Sequence, residues 1–212
     1  MPDSIIFDLD GTLWDAVPQI CAAWNLAIAR SGHALPPLTV EQLFPCMGML
    51  LPDIGRRLFP ALGGEDRAAL TALCCEIEND YLARHGGTLY PGVAGELPAL
   101  ARLYRLYIVS NCQEGYIEAF FASTGLGGCF SGYESAGRTG APKAENIRLV
   151  VEREGLRAPV YLGDTAMDAA AAHAAGVPFL HAAYGFGAPI PGETAVGSFS
   201  ALSELLDRTS LF

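Results

Sequence analysis

Ser4-Ile5-Ile6-Phe7-Asp8-Leu9-Asp10-Gly11-Thr12-Leu13 is the stretch from which the rest of the chain can be read. Ile5, Ile6 and Phe7 form a short apolar run, two of the three β-branched, which is the pattern of a strand buried on both faces of a parallel sheet. The run stops at Asp8, a second carboxylate follows at Asp10, and Gly11 lets the backbone turn. A buried strand that ends in two acids sets both at the carboxyl edge of a sheet, where open α/β sheets bind ligands. Two carboxylates this close at an apolar strand end repel, so a cation lies between them or one of them holds a proton. Helix capping explains one acid, not two flanking an apolar residue. A helix–loop–helix calcium loop fails on position: counted from Asp8, Leu13 stands where its glycine belongs and Gln19 where its glutamate belongs.

Bulk properties narrow the function classes. The 212 residues suffice for one large domain or a core with a smaller insert. With 51% hydrophobic and 17% charged residues, the chain can build a substantial core and is not globally disordered. The net charge of −10 argues against non-specific binding to nucleic acid or an acidic membrane, and an anionic substrate needs a local device to overcome that field. Six cysteines contain no Cys-x-x-Cys pair and no secretion leader precedes the first strand, so free buried thiols in a reducing cytoplasm are expected. The most apolar stretch, 169–188, is interrupted by His173, Pro178 and His181 and is no membrane span.

Helical spacing of Ile20, Ala23, Trp24, Ala27 and Ile28 begins at Asp15 and ends at Gly32. Thr39 with Gln42 forms a capping box for a second helix, Pro52 and Asp53 open a third that Pro60 closes, and 65–85 reads as a long fourth. The segment 15–87 is therefore expected to be an all-helical insert, with Gly86-Gly87 as a hinge. After Pro91-Gly92, helices over 94–103, 113–123, 144–154, 167–175 and 200–206 alternate with strands over 106–109, 129–133, 160–162 and 179–181. Alternation of this kind predicts an α/β fold, a doubly wound parallel sheet whose core comprises 1–14 and 88–212.

Three further sites fall at strand ends or helix starts. Val109 runs into Ser110-Asn111 just before a helix, where a hydroxyl and free N–H groups make an anion seat, although Ser and Asn also serve as plain N-caps. Leu162 runs into Gly163-Asp164-Thr165-Ala166-Met167-Asp168. Asp164 stands at the strand edge with Asp168 one helical turn on. With Asp8 and Asp10 they make an oxygen-rich site for a hard cation, most simply Mg²⁺, while helix capping would account for one of the later pair. Lys143 is the only lysine among 13 basic residues. Its place at a helix start opposes the dipole, which points to a ligand that needs a compact ammonium.

Taken together, these pieces resemble the haloacid dehalogenase superfamily, specifically its phosphatases with a helical cap inserted after the first strand. Asp8-Leu9-Asp10-Gly11-Thr12 matches the first motif, Ser110 the second, Lys143 the third and Gly163 to Asp168 the fourth. Pro91-Gly92-Val93 and Ala175-Gly176-Val177-Pro178 are similar to the phosphoglycolate phosphatase group. The resemblance implies a Mg²⁺-dependent hydrolase of small phosphomonoesters, with phosphoglycolate as a group-level expectation. Asp8 would be the nucleophile forming an aspartyl-phosphate, and Asp10 the general acid and base. Asp8, Asp164 and the backbone carbonyl of Asp10 would hold the metal. Lys143, Ser110 and the N–H groups of Leu9, Asp10 and Asn111 would hold the phosphate, with Asp168 steering Lys143 or a metal-bound water. The insert would close over the site, with Met47-Gly48-Met49 as a specificity loop. Arg56 and Arg57 either meet a second anionic group or are solvated helix charges. The four histidines show no ligand spacing and read as structural.

Rival branches separate by residue. True dehalogenases lack the acid at Asp10. The phosphonate-cleaving branch needs a cap lysine for a Schiff base, and the mutase branch carries Glu-Asp in the fourth motif with a cap lysine; neither is present here. Transfer to a second substrate, as in a phosphosugar mutase or phosphotransferase, stays open. So does a catalytically silent regulatory protein that keeps the phosphate and metal site. The partner is a small phosphorylated metabolite rather than nucleic acid or membrane, and the chain is a monomer or homodimer.

Overall fold

In the computed structural model, residues 2–207 are described. The first strand, β1 (Ser4–Phe7), is wholly buried. Its side chains alternate between two layers: Ile5 and Phe7 pack into one apolar cluster, and Ile6 packs into the other with Tyr107, Val109 and Tyr161. A strand covered on both faces needs apolar residues at every position, which is why the sequence shows a run here rather than an alternation.

The chain leaves β1 through the two-residue strand β2 (Trp14–Asp15) and enters α1 (Val17–Arg30), whose first N–H is taken by the Asp15 carboxylate at 2.9 Å. Then follow α2 (Val40–Leu43), with the expected Thr39–Gln42 capping box, α3 (Leu51–Leu58) and the long α4 (Gly64–His85). A second short strand, β3 (Thr88–Leu89), pairs antiparallel with β2, Trp14 opposite Leu89 and Asp15 opposite Thr88. Sequence reading expects no strand at Asp15; two residues per strand are too few to show a period. Every described element between β2 and β3 is helical.

Next come α5 (Val93–Leu100), β4 (Arg105–Ser110), α6 (Tyr116–Thr124), β5 (Gly132–Ser135), the single turn α7 (Ala136–Thr139) and α8 (Lys143–Glu154). The described chain closes with β6 (Pro159–Gly163), α9 (Ala166–Ala175), β7 (Phe179–Ala182), β8 (Thr194–Val196) and α10 (Ala201–Asp207). Two expected boundaries are corrected. Residues 126–129 form a 3₁₀ turn, not the start of a strand, and β5 ends in Glu134-Ser135. Glu134 is buried yet paired with Arg153 at 2.9 Å, so a polar residue stands where an apolar strand signal is expected. Helix α6 begins at Tyr116 rather than Gln113 because Gly115 turns the backbone into the left-handed region (φ 89°) just before it.

The main sheet runs β5-β4-β1-β6-β7-β8, all parallel. The chain builds outward from β1 through β4 and β5, then returns to the other side of β1 for β6. This reversal of winding leaves a crevice beyond the carboxyl ends of the central strands. Phe7 lies opposite both Ile108 and Leu162, so Asp8, Ser110 and Asp164 emerge side by side at that edge.

Candidate active site

Four segments far apart in sequence converge beyond β1, β4 and β6. Lys143, at the start of α8, is buried, and its Nζ donates to Asp8 Oδ1 at 2.9 Å and to Asp168 Oδ1. Burial opposes an ammonium, but the carboxylates of Asp168 and Asp8 hold Lys143 well above the ordinary lysine range, so it stays charged. The other oxygen of Asp168, Oδ2, accepts the backbone N–H of Thr165 at 2.9 Å and the Thr165 hydroxyl at 2.6 Å, closing the capping box of α9. Asp168 thus caps α9 with one oxygen and bonds the Lys143 ammonium with the other.

Asp164 lies against the turn after β1. Its Oδ2 accepts the Phe186 N–H at 2.8 Å, and Oδ1 accepts the Thr12 hydroxyl at 3.5 Å. Gly11 has φ 81°, and a Cβ there would collide with the Asp164 carboxylate, so both conformation and space demand glycine. Gly185 also approaches Asp164 too closely for a side chain. His181 is structural, its Nε2 3.2 Å from the Asp164 carbonyl.

Carboxylate oxygens of Asp8, Asp164 and Asp168, all buried, lie within 4.8 Å of one another. An all-oxygen set of this charge suits a hard cation such as Mg²⁺. The electrostatics agree. Burial pushes the Asp164 carboxyl up to about 7, with the charges of Asp8 and Asp168 adding to it. Burial also raises Asp8, against the pull of Lys143. Anions destabilised in this way are what a bound cation relieves.

The side chain of Asp10 stands apart from that cluster. Its Oδ1 accepts the Tyr116 hydroxyl at 2.6 Å. Burial holds the Asp10 carboxyl well above the ordinary range; the Tyr116 bond opposes this, and the charges of Asp8 and Glu78 add to it. Ser110 is buried and lines a small cavity, about 50 Å³, together with Asp8 and Asp10. Asn111 lines it too; its Nδ2 donates to the Gly48 carbonyl at 2.9 Å, which leaves its backbone N–H and its side-chain Oδ1 to face a ligand. Met47, Gly48 and Met49 line the same cavity. Arg56 and Arg57 do not: both are exposed, and Arg56 pairs with Asp53, which leaves the solvated reading.

Sequence reading missed Tyr116 and Glu78. Glu78 is buried in α4, where Oε1 accepts from Gln113 Nε2 at 2.9 Å and Oε2 from Trp24 Nε1. Its signal was available. Leu70, Cys74, Glu78 and Leu82 recur every four residues, so an acid sits inside the buried stripe of the helix. Burial pushes Glu78 up to about 7, against its hydrogen bonds from Gln113 and Trp24.

The metal-free protein is therefore expected to lose stability as pH rises. Acids whose folded pKa lies above the unfolded value bind more protons in the native state, so the penalty grows from about pH 4 to about pH 7 and then levels off. Asp164 and Glu78 contribute to that penalty about 4 and about 3 kcal/mol. Melting in chelator should occur at lower temperature at about pH 8 than at about pH 5. A higher melting temperature at the alkaline end would contradict the burial of these acids in the native state.

The haloacid dehalogenase-like hydrolase family model matches residues 2–176 of this chain. A protein from Cupriavidus necator named phosphoglycolate phosphatase, plasmid, is 32% identical, with 98% of this chain and 94% of the relative covered. A phosphoglycolate phosphatase from Rhodospirillum rubrum is also 32% identical, over 100% of this chain and 90% of its own length. A crystal structure of a predicted phosphoglycolate phosphatase from Haemophilus somnus 129pt superposes with a TM-score of 0.82 at 22% identity, covering 96% of this chain and 97% of that one. With its parallel sheet and the cluster at its carboxyl edge, the chain belongs to the haloacid dehalogenase-like hydrolases and is a phosphatase of that family.

Proposed function

We propose that the protein hydrolyses small phosphomonoesters through an aspartyl-phosphate, with Asp8 as nucleophile and Mg²⁺ as cofactor. The observation that carries this reading is Lys143, buried with its ammonium bonded to Asp8 and Asp168 beside Asp164. A plain structural ion pair would not need a third buried carboxylate next to it.

Asp8 attacks phosphorus as the carboxylate and needs no separate base. As the P–O bond to the leaving group breaks, Asp10 gives its proton to the departing oxygen. Its raised pKa supports that role, because an acid must still hold its proton near neutral pH. Asp10, now a carboxylate, takes a proton from water, and that water attacks phosphorus and releases Asp8. The Tyr116 hydroxyl fixes the Asp10 carboxyl throughout. Lys143 and the Ser110 hydroxyl neutralise and hold phosphate oxygens, while Asp168 keeps the ammonium aimed. The backbone N–H groups of Leu9, Asp10 and Asn111 complete the seat. Asp8, Asp164 and the Asp10 carbonyl would hold the metal, which supplies positive charge between two anions that otherwise repel. Positioning and charge neutralisation carry most of the rate in phosphoryl transfer.

Residues 15–87 serve in this reading as a cap that excludes water, and 1–14 with 88–212 serve as the catalytic core. The Asn111–Gly48 bond and the edge-on contact of Phe44 with Phe186, 5.2 Å between ring centres, support a cap that seats on the core. The relatives' name makes phosphoglycolate the reference compound for assay. Hydrolysis of p-nitrophenyl phosphate or acetyl phosphate with Mg²⁺ tests the reading. Chelation should lower the rate by about 100-fold or more, and Mg²⁺ should restore it. A rate untouched by chelation would remove the metal from the mechanism.

A further inference from the structure

The wall facing the leaving group is the feature that the reaction itself does not explain. From the insert come Ile20, Trp24, Leu43, Met47, Met49 and Ile54, all apolar in body, and one acid, Glu78. No arginine, lysine or histidine is among the described residues lining this cavity. Lys143 lies behind Asp8, bonded to it, where it serves the phosphate. The exposed Arg56 and Arg57 are outside the wall. A substrate with a second negative charge would thus set that charge in a small, buried, acid-bearing chamber with no counter-charge, an arrangement that is strongly disfavoured.

Resting on the phosphatase reading above, we infer that the site accepts phosphate esters of uncharged, hydroxyl-bearing alcohols, that it discriminates against leaving groups carrying a carboxylate or a second phosphate, and that Glu78 determines the choice. Glu78 is held at the cavity wall by Trp24 from α1 and Gln113 from the core, so its position is fixed from both sides. Its two oxygens retain lone pairs beyond those two bonds and can accept from a hydroxyl. Asn111 adds to the surplus of acceptors: its Nδ2 donates to Gly48, and its buried Oδ1 has no donor among the described residues. Donors on the ligand match this wall, and acceptor-only groups do not. The discrimination does not require direct contact, since a buried carboxylate repels an anion across a low-dielectric cavity.

Matched pairs isolate the charge. 2-Hydroxyethyl phosphate and 2-phosphoglycolate share a two-carbon frame and differ in hydroxymethyl against carboxylate; glycerol 1-phosphate and 3-phosphoglycerate differ in the same way. With Mg²⁺ at about pH 8, where Glu78 is ionised, the hydroxyl member of each pair should be favoured by about tenfold or more in kcat/KM. Glu78→Gln keeps the shape and removes the charge, and should bring each pair to within about threefold by raising turnover of the carboxylate member. Equal or better turnover of 2-phosphoglycolate by the unaltered protein, or a preference unchanged in Glu78→Gln, would overturn the assignment. Turnover of p-nitrophenyl phosphate in the same preparation reports the underlying reading separately. Its absence sinks the phosphatase chemistry itself, whereas its presence with the wrong pair preference sinks only the assignment of Glu78.

Discussion

Asp8→Asn should lower kcat on p-nitrophenyl phosphate by about four orders of magnitude or more, because an amide does not attack phosphorus at neutral pH and no other side chain can take over a covalent step. The fold should survive. The substitution removes one of three crowded carboxylates, and Lys143 keeps Asp168 as a partner. Far-ultraviolet circular dichroism and the melting temperature measured alongside the rate separate lost chemistry from lost structure. An Asp8→Asn protein that turns over at the original rate would end the aspartyl-phosphate mechanism, whatever its stability.

Lys143→Met is expected to have the larger effect on stability. Methionine fills much of the same space but leaves Asp8 and Asp168 buried without their cation. Breaking a buried pair from one side costs about 3–5 kcal/mol. Urea unfolding without metal should show most of that loss at about pH 8. The loss should shrink toward about pH 5, because the orphaned Asp8 carboxyl, already raised by burial, then takes up a proton instead of standing charged in the interior. Turnover should fall as well, by about 100-fold, through loss of the ammonium at the phosphate. A variant as stable as the parent at alkaline pH would mean that the ammonium does not lie between these two acids.

Much of the fold was legible because its signals are local. The apolar run 5–7, the acids directly after it, the glycine at the turn and the strand–helix alternation beyond residue 91 are each written within a few residues. The parallel sheet follows from them. The elements that escaped are those whose signal is short or polar. The two-residue strands β2 and β3 have no period to read, and β5 ends in Glu134 and Ser135, the first of them buried and paired with Arg153 nineteen residues away. Likewise the loop after β7 carries no periodicity, yet its Phe186 N–H holds Asp164 and its Gly185 leaves room for it.

By itself, the sequence determined where β1, β4 and β6 end and which chemical groups stand there, since a run of apolar residues closed by an acid or a hydroxyl specifies both element and terminus. Only the tertiary structure decided how those groups are shared. Lys143 finds Asp8 across 135 positions, Asp10 turns to Tyr116 across 106, and Gln113 reaches Glu78 across 35. Such pairings depend on the register of β1 between β4 and β6 and on where α4 lies over the sheet edge. Contacts between surfaces distant along the chain settle both, and no local pattern encodes them.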